Sequence, residues 1–293
     1  MYSPRTGGTT GEMMQPETES GKDIAVPRDA ATVLLLRDAP GGFEVFMVKR
    51  SGLSDVFGEA HVFPGGKIDA ADSSAPMLAR LAGIETLDVD ALGEDLPRER
   101  AAGMFVAAAR ETFEEAGILL AHGITGDLKD ARDRLNAKVP LVEVLAALDA
   151  MLDLQALVPW VRWVTPTFAP KRFDARFFLA IAPPAQAAVH DDFEATHSEW
   201  LKPRTALARW QTDSIKLAPP TYMSLAHLAL FDGIEEALAD ARGRKPPILQ
   251  PLAFKEAEMR CLALPGDARH PVRERAIPGP TRMRWDGSKY LPT

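Results

Sequence analysis

The sequence predicts an α/β (α+β) fold on two observations. Short apolar runs of strand character are interspersed with longer helical patterns along the whole chain, which is the order that builds helices onto a sheet. The chain has 293 residues, of which 46% are hydrophobic and 26% charged, enough for one large core or two small ones, and no internal repeat subdivides it.

Residues 1–25 hold Gly, Thr, Glu and Pro with almost nothing to bury, so a disordered leader is expected there. Ala31 to Arg37 (ATVLLLR) reads as a buried strand, Asp38 to Gly42 has turn chemistry, and Phe43 to Lys49 (FEVFMVK) reads as the second strand of a hairpin. His61-Val-Phe-Pro-Gly-Gly66 reads as a strand ending in a turn, where backbone without a Cβ can approach a ligand or ion. Helices are expected at Arg98 to Ala116, at Leu141 to Leu152 and at Tyr222 to Leu230, the last behind Pro219 and Pro220. Trp160 to Thr165 and Phe173 to Ile181 read as paired strands joined by Pro166 to Arg172. Trp160 and Trp163 are expected in the core on one strand face rather than as a platform for a nucleobase. The segment after Gly243 holds 8 of the 24 prolines and shows no clear period, so an extended arm packed on the body or on a second subunit is expected.

Composition bounds the function. With 34 Lys and Arg against 41 Asp and Glu, 34 − 41 gives a formal charge of −7, which argues against a general nucleic-acid binder. No apolar stretch approaches the span of a membrane, and the N-terminus lacks the apolar core of a signal peptide. The single cysteine, Cys261, gives neither an intrachain disulfide nor a Cys-based zinc site and favours a reducing, cytoplasmic compartment.

The chemistry concentrates on one helix. At about 100° per residue, Glu115 lies roughly +40° and Glu114 roughly −60° from Glu111, while Phe105, Ala109, Phe113 and Ala116 cluster on the opposite side. Arg110 stands four residues before Glu114, at salt-bridge spacing, and Gly117 can end the helix in the left-handed conformation. Three glutamates alone read as a solvated face. Beside a Pro-Gly-Gly turn they become candidate oxygen ligands for Mg²⁺ or Mn²⁺, with a phosphate ester as cargo.

These residues resemble the Nudix hydrolase signature: Gly, five residues, Glu, seven residues, then Arg-Glu, an apolar residue, any residue, Glu-Glu, any residue, Gly and an apolar residue. Gly66 and five further residues lead to Asp72 in place of the first Glu, and Arg110-Glu111-Thr112-Phe113-Glu114-Glu115-Ala116-Gly117-Ile118 supplies the second half, with Thr112 where an apolar residue is usual. The separation from Asp72 to Arg110 is 110 − 72 = 38 positions instead of eight, so the box carries a 30-residue insertion. A box split in this way is similar to the coenzyme A diphosphatase branch, as are Lys49-Arg50-Ser51, the stretch TPTFAPKRFDARFFLA, and Glu194 six residues before Trp200.

The resemblance implies a Nudix-like α/β/α sandwich with a mixed sheet over 26–242, an insertion at about 73–103 and a Pro-rich extension at 243–293. It implies hydrolysis of a diphosphate bond with Mg²⁺ or Mn²⁺, in coenzyme A or acyl-coenzyme A, to 3′,5′-ADP and a 4′-phosphopantetheine product. Two alternatives stand beside that: a pyrophosphatase for ADP-ribose, NADH or another nucleoside diphosphate derivative, and a non-catalytic nucleotide-binding regulator. The expected partner is such a small molecule, with no nucleic acid and no membrane; a homodimer is left open. Glu111, Glu115 and the Gly66 carbonyl are expected as metal ligands, and Glu114, steadied by Arg110, as a ligand or water-orienting group. Glu194 is the first candidate for the general base and Glu199 the second. Asp72 either supports the ligands or caps a turn. Arg50, Lys171, Arg172 and His61 are the candidates for substrate contacts, against surface-charge or structural roles for the same residues.

Overall fold

The computed structural model describes residues 24–51, 59–93, 95–191 and 195–293. Most of the expected leader and the candidate base Glu194 lie outside the described residues.

A mixed sheet forms the middle layer. Its centre is Arg28–Ala39, hairpinned to Gly42–Arg50 and paired in parallel with Phe173–Ile181. Outward from Phe173–Ile181 come Val158–Val164, antiparallel, and the two residues Ile248–Leu249; Ala195–Leu201 closes the other edge against Gly42–Arg50. The central strand alternates faces, and both are buried. Ala31, Val33 and Leu35 join Phe46 and Val48 under the helices Arg98–Ala116, Leu128–Asn136 and Leu141–Ala147. Leu34 and Leu36 join Val45 and Met47 under Pro203–Gln211, Pro219–Leu228 and Ile234–Arg242. Helices on both faces of a mixed sheet make the expected α/β/α sandwich.

The hairpin strands pair near their turn, through Leu36 and Val45, and part beyond it. His61–Val62 then pairs with Val48 and Lys49, and Gly65–Lys67 pairs with Ala30, Ala31 and Thr32. The Pro-Gly-Gly segment is thereby wedged into the open end of the hairpin. This places Gly65 and Gly66 beside the helix Arg98–Ala116.

Three expectations need correction. Leu141–Ala147 is helical, but the chain does not continue so to Leu152: Asp149 has φ +51 and Met151–Asp153 is a short strand beside Leu81–Ala82 and Ala121–His122. The apolar residues that suggested one long helix serve two elements. The third helix begins at Pro219, three residues early, because proline suits a first turn. The tail is no extended arm. It forms an antiparallel sheet of Leu252–Glu256, Met259–Ala263, Arg282–Trp285 and Tyr290–Pro292, whose Leu262 and Met283 enter the core beneath the last three helices. Trp160 and Trp163 lie in one core as expected; strict alternation would put them on opposite faces, and an extra residue at Trp160, between the pairs Pro159–Phe178 and Val161–Phe177, brings both to the same side.

The insertion closes on itself. A Cβ on Gly103 would lie 2.0 Å from Ser73 Oγ, so the ends of the segment 73–103 touch. Met77, Leu81 and Leu92 from within it are buried in the core under the acidic helix.

Candidate metal and phosphate site

The helix Arg98–Ala116 is buried around most of its girth, from Ala101 through Arg110, and ends where Gly117 adopts φ +70 with its N–H donating to Phe113 O. Its last turns reach a large cleft. Glu111, Glu114 and Glu115 stand there on one wall of a cleft of about 1640 Å³, facing Gly65 and Gly66. The glutamates are therefore not a solvated face. The Glu111 and Glu114 side chains are 12% and 18% exposed.

Arg110 anchors this wall from behind. Its Nε and Nη2 donate to the two carboxylate oxygens of Asp72 at 3.0 Å each, Nη2 also to Lys67 O at 2.8 Å, and Nη1 to Glu111 Oε1 at 2.8 Å. The expected i,i+4 pair with Glu114 is longer, at 3.6 Å. Burial opposes the arginine's charge, but the Asp72 hydrogen bonds and the charges of Glu111, Asp72 and Glu114 outweigh it and raise its pKa. Asp72 is 3% exposed and also accepts the Asp69 N–H at 2.8 Å. It both caps a turn and supports the acidic wall, so the two readings of this residue are compatible. Thr112 satisfies its buried hydroxyl by donating to Ala108 O at 2.7 Å, which lets a polar side chain occupy a position usually apolar.

The glycines face the carboxylates at contact distance. Gly65 N–H donates to Glu115 Oε2 at 3.0 Å. A Cβ on Gly66 would lie 2.4 Å from Glu111 Oε1, whereas one on Gly65 would lie 2.4 Å from Ala31 O. Burial raises the Glu114 pKa first, the charges of Arg110 and Lys138 lower it, and those of Asp69 and Asp72 raise it again; the net shift is upward. Among the described residues, no group of three or more His, Cys, Asp or Glu side chains is already arranged to hold a metal ion. The donor set nevertheless fits a hard divalent ion: carboxylate oxygens from one helical wall, and a glycine whose bare Cα lets backbone come up to them.

The other candidates separate. Arg50, Lys171 and Arg172 line the same cleft. Arg172, however, is 7% exposed and donates from Nε to Thr165 O and from Nη1 to Ala25 O, so it braces the loop after Val158–Val164 instead of presenting its charge. His61 does not line the cleft. It is 5% exposed and its Nε2 lies 3.3 Å from Glu199 Oε1, with Arg209 donating to Glu199 Oε2 at 2.6 Å. Period-two alternation accounts for this, since Lys49 and Met47, the partners of His61 and Glu199, share the sheet face opposite the acidic helix. Burial is the main reason the His61 pKa is lowered, only partly offset by Glu199. Both residues are removed from the cleft by this geometry. Sequence reasoning passed over Phe168 in the same loop, an aromatic side chain 59% exposed on the cleft. Its one available signal was position between two prolines in a polar loop.

Known proteins resemble the chain in sequence and in fold. A family model described as the NUDT19 Nudix domain matches residues 81–228. The chain is 29% identical to a chicken (Gallus gallus) protein named acyl-coenzyme A diphosphatase NUDT19, over 83% of this chain and 80% of the relative. The human protein of that name is 28% identical over 77% and 72%. Among solved structures, a Nudix hydrolase from Alicyclobacillus acidocaldarius superposes with a TM-score of 0.62 and 27% identity, covering 74% of this chain and 97% of the other.

Proposed function

The chain belongs to the NUDT19 Nudix domain family, and from that premise we propose that it hydrolyses the diphosphate bond of coenzyme A or acyl-coenzyme A, giving 3′,5′-ADP and a 4′-phosphopantetheine product. One observation carries this reading beyond the family. The paired hydrogen bonds of Arg110 to Asp72 rejoin a box split by the insertion and turn Glu111, Glu114 and Glu115 toward Gly65 and Gly66 at the cleft.

Hydrolysis here joins a water oxygen to one phosphorus, breaks its bond to the bridging oxygen, and passes the water's proton to a base while the second phosphate leaves. A bound Mg²⁺ or Mn²⁺ would supply charge neutralisation at the phosphoryl oxygens and a more acidic water. In this reading Glu111, Glu115 and the Gly66 carbonyl hold the ion, and Glu114 holds it or orients the water. Arg110 acts as a positioning residue, since its donors are spent on Asp72, Glu111 and Lys67 O. Arg50 and Lys171 on the cleft wall meet the phosphates. Glu194 stays the candidate base by sequence position, and its described neighbours Asp191 and Ala195 line the cleft. A cytoplasmic setting is supported by the single, free Cys261; among the described residues no helix is long and apolar enough to cross a membrane.

Incubation with coenzyme A, acyl-coenzyme A, NADH, ADP-ribose and diadenosine polyphosphates, each with Mg²⁺, Mn²⁺ or chelator, tests the proposal. Metal-dependent release of 3′,5′-ADP is expected. Turnover of ADP-ribose without coenzyme A would overturn the substrate, and nucleotide binding without turnover of any of them would favour a regulator.

A further inference from the structure

Among the described residues, Phe168 is the aromatic one of the large hydrophobic side chains left exposed. It stands on the loop between Val158–Val164 and Phe173–Ile181, on the cleft, with 59% of its surface open. The loop is braced on several sides. Arg172 donates to Thr165 O at its base and to Ala25 O across it, the Phe173 N–H donates to Thr165 Oγ1 at 3.0 Å, the Ala169 N–H closes a turn on Pro166 O at 3.2 Å, and Pro166 and Pro170 restrict the backbone on either side. A side chain held out by a stiff loop keeps its place when a ligand arrives. Other aromatic side chains of the body pair in the interior, as Phe105 does with Phe178 and Trp160 with His227, while no ring contact engages Phe168 among the described residues.

We infer that Phe168 is a stacking platform for the nucleobase of the substrate. The occupant is chosen by the surroundings. A fatty chain gains most from an enclosed apolar channel, whereas a base needs one flat face and keeps its edge in water, which suits a ring that is half open at the cleft. Lys171, three residues on, lines the same cleft, so one loop presents a flat apolar face and a cation to the same ligand. That combination fits a nucleotide. The inference rests on the reading of an adenine-containing diphosphate substrate and names the part of it that meets this loop.

The test compares Phe168→Ala, Phe168→Trp and the unaltered protein, measuring calorimetric binding of 3′,5′-ADP and of 4′-phosphopantetheine, with steady-state turnover of coenzyme A in parallel. The Ala variant is expected to bind 3′,5′-ADP about tenfold or more weakly, the Trp variant to bind it as well as the unaltered protein, and 4′-phosphopantetheine to be unaffected in both. Loss confined to 4′-phosphopantetheine would put the acyl arm on this loop and overturn the inference. Equal loss for both ligands, no loss for either, or no binding of 3′,5′-ADP to the unaltered protein would overturn it too. If the unaltered protein binds 3′,5′-ADP through Phe168 yet leaves coenzyme A intact, the proposed reaction fails and the stacking role stands.

Discussion

Asp72 and Arg110, 38 positions apart, are joined inside the protein by two hydrogen bonds of 3.0 Å, one to each carboxylate oxygen. Removing the acid leaves a guanidinium at the edge of the core without its main counter-ion. Breaking such a buried pair costs about 3–5 kcal/mol. Asp72→Ala is expected near the low end, about 3 kcal/mol, because Arg110 keeps Glu111 and Lys67 O. Urea unfolding measures this; a loss below about 1 kcal/mol, the worth of an exposed pair, would show that the pair is not what rejoins the box.

Glu115→Gln separates the chemistry from the fold. The amide oxygen can still accept the Gly65 N–H that Glu115 Oε2 accepts at 3.0 Å, so the thermal midpoint without metal should stay within a few degrees. Loss of one proposed negative ligand should lower turnover by roughly a thousandfold, about 4 kcal/mol of transition-state stabilisation. An active variant with an unchanged Mg²⁺ response would take Glu115 out of the site.

Two adjacent glycines should fail in different ways. At Gly65 a methyl group meets the Ala31 carbonyl at 2.4 Å, which is backbone of the central strand and cannot move without disturbing the sheet, so Gly65→Ala should cost stability. At Gly66 the obstacle is the Glu111 carboxylate at 2.4 Å, the end of a side chain that can swing aside. Gly66→Ala should therefore fold with little loss and turn over poorly, because the displaced group is a proposed ligand. Circular dichroism melts and turnover on both variants decide it, and the reverse pattern would contradict the placement of Glu111.

The parts of this site that were legible in the sequence are those encoded locally. The acidic stripe, Arg110 and Gly117 lie within one helical window, and the hairpin around Gly41 and Gly42 carries its own turn chemistry. The direction of His61 was not legible, since it follows from which sheet face its partner Lys49 occupies. Nor was the tail, whose strands span 3 to 5 residues and draw stability from one another and from the core at Leu262 and Met283, not from any period of their own. The insertion was legible as a count, but not as a loop closed between Ser73 and Gly103, a contact made by tertiary packing.

His227 gives the protein a stability that falls in acid. Its ring stacks on Trp160 with centroids 4.9 Å apart, and the residue is 2% exposed. Burial depresses its pKa from 6.5 to about 4, with the Arg244 charge adding to the effect and Asp240 opposing it. The unfolded chain carries an ordinary histidine, so between about pH 6.5 and pH 4 it binds more protons than the native state, and unfolding becomes easier as pH falls through that window. Above the window the contribution is fully present; below about pH 4 it is gone. The shift corresponds to roughly 3 kcal/mol. Replacing His227 with Phe keeps a flat ring against Trp160 and removes the titration, so the variant should lose less stability between pH 7 and pH 4.5 than the unaltered protein. Parallel pH dependence in the two proteins would assign the acid sensitivity to other groups, the buried His61 among them, and not to this ring.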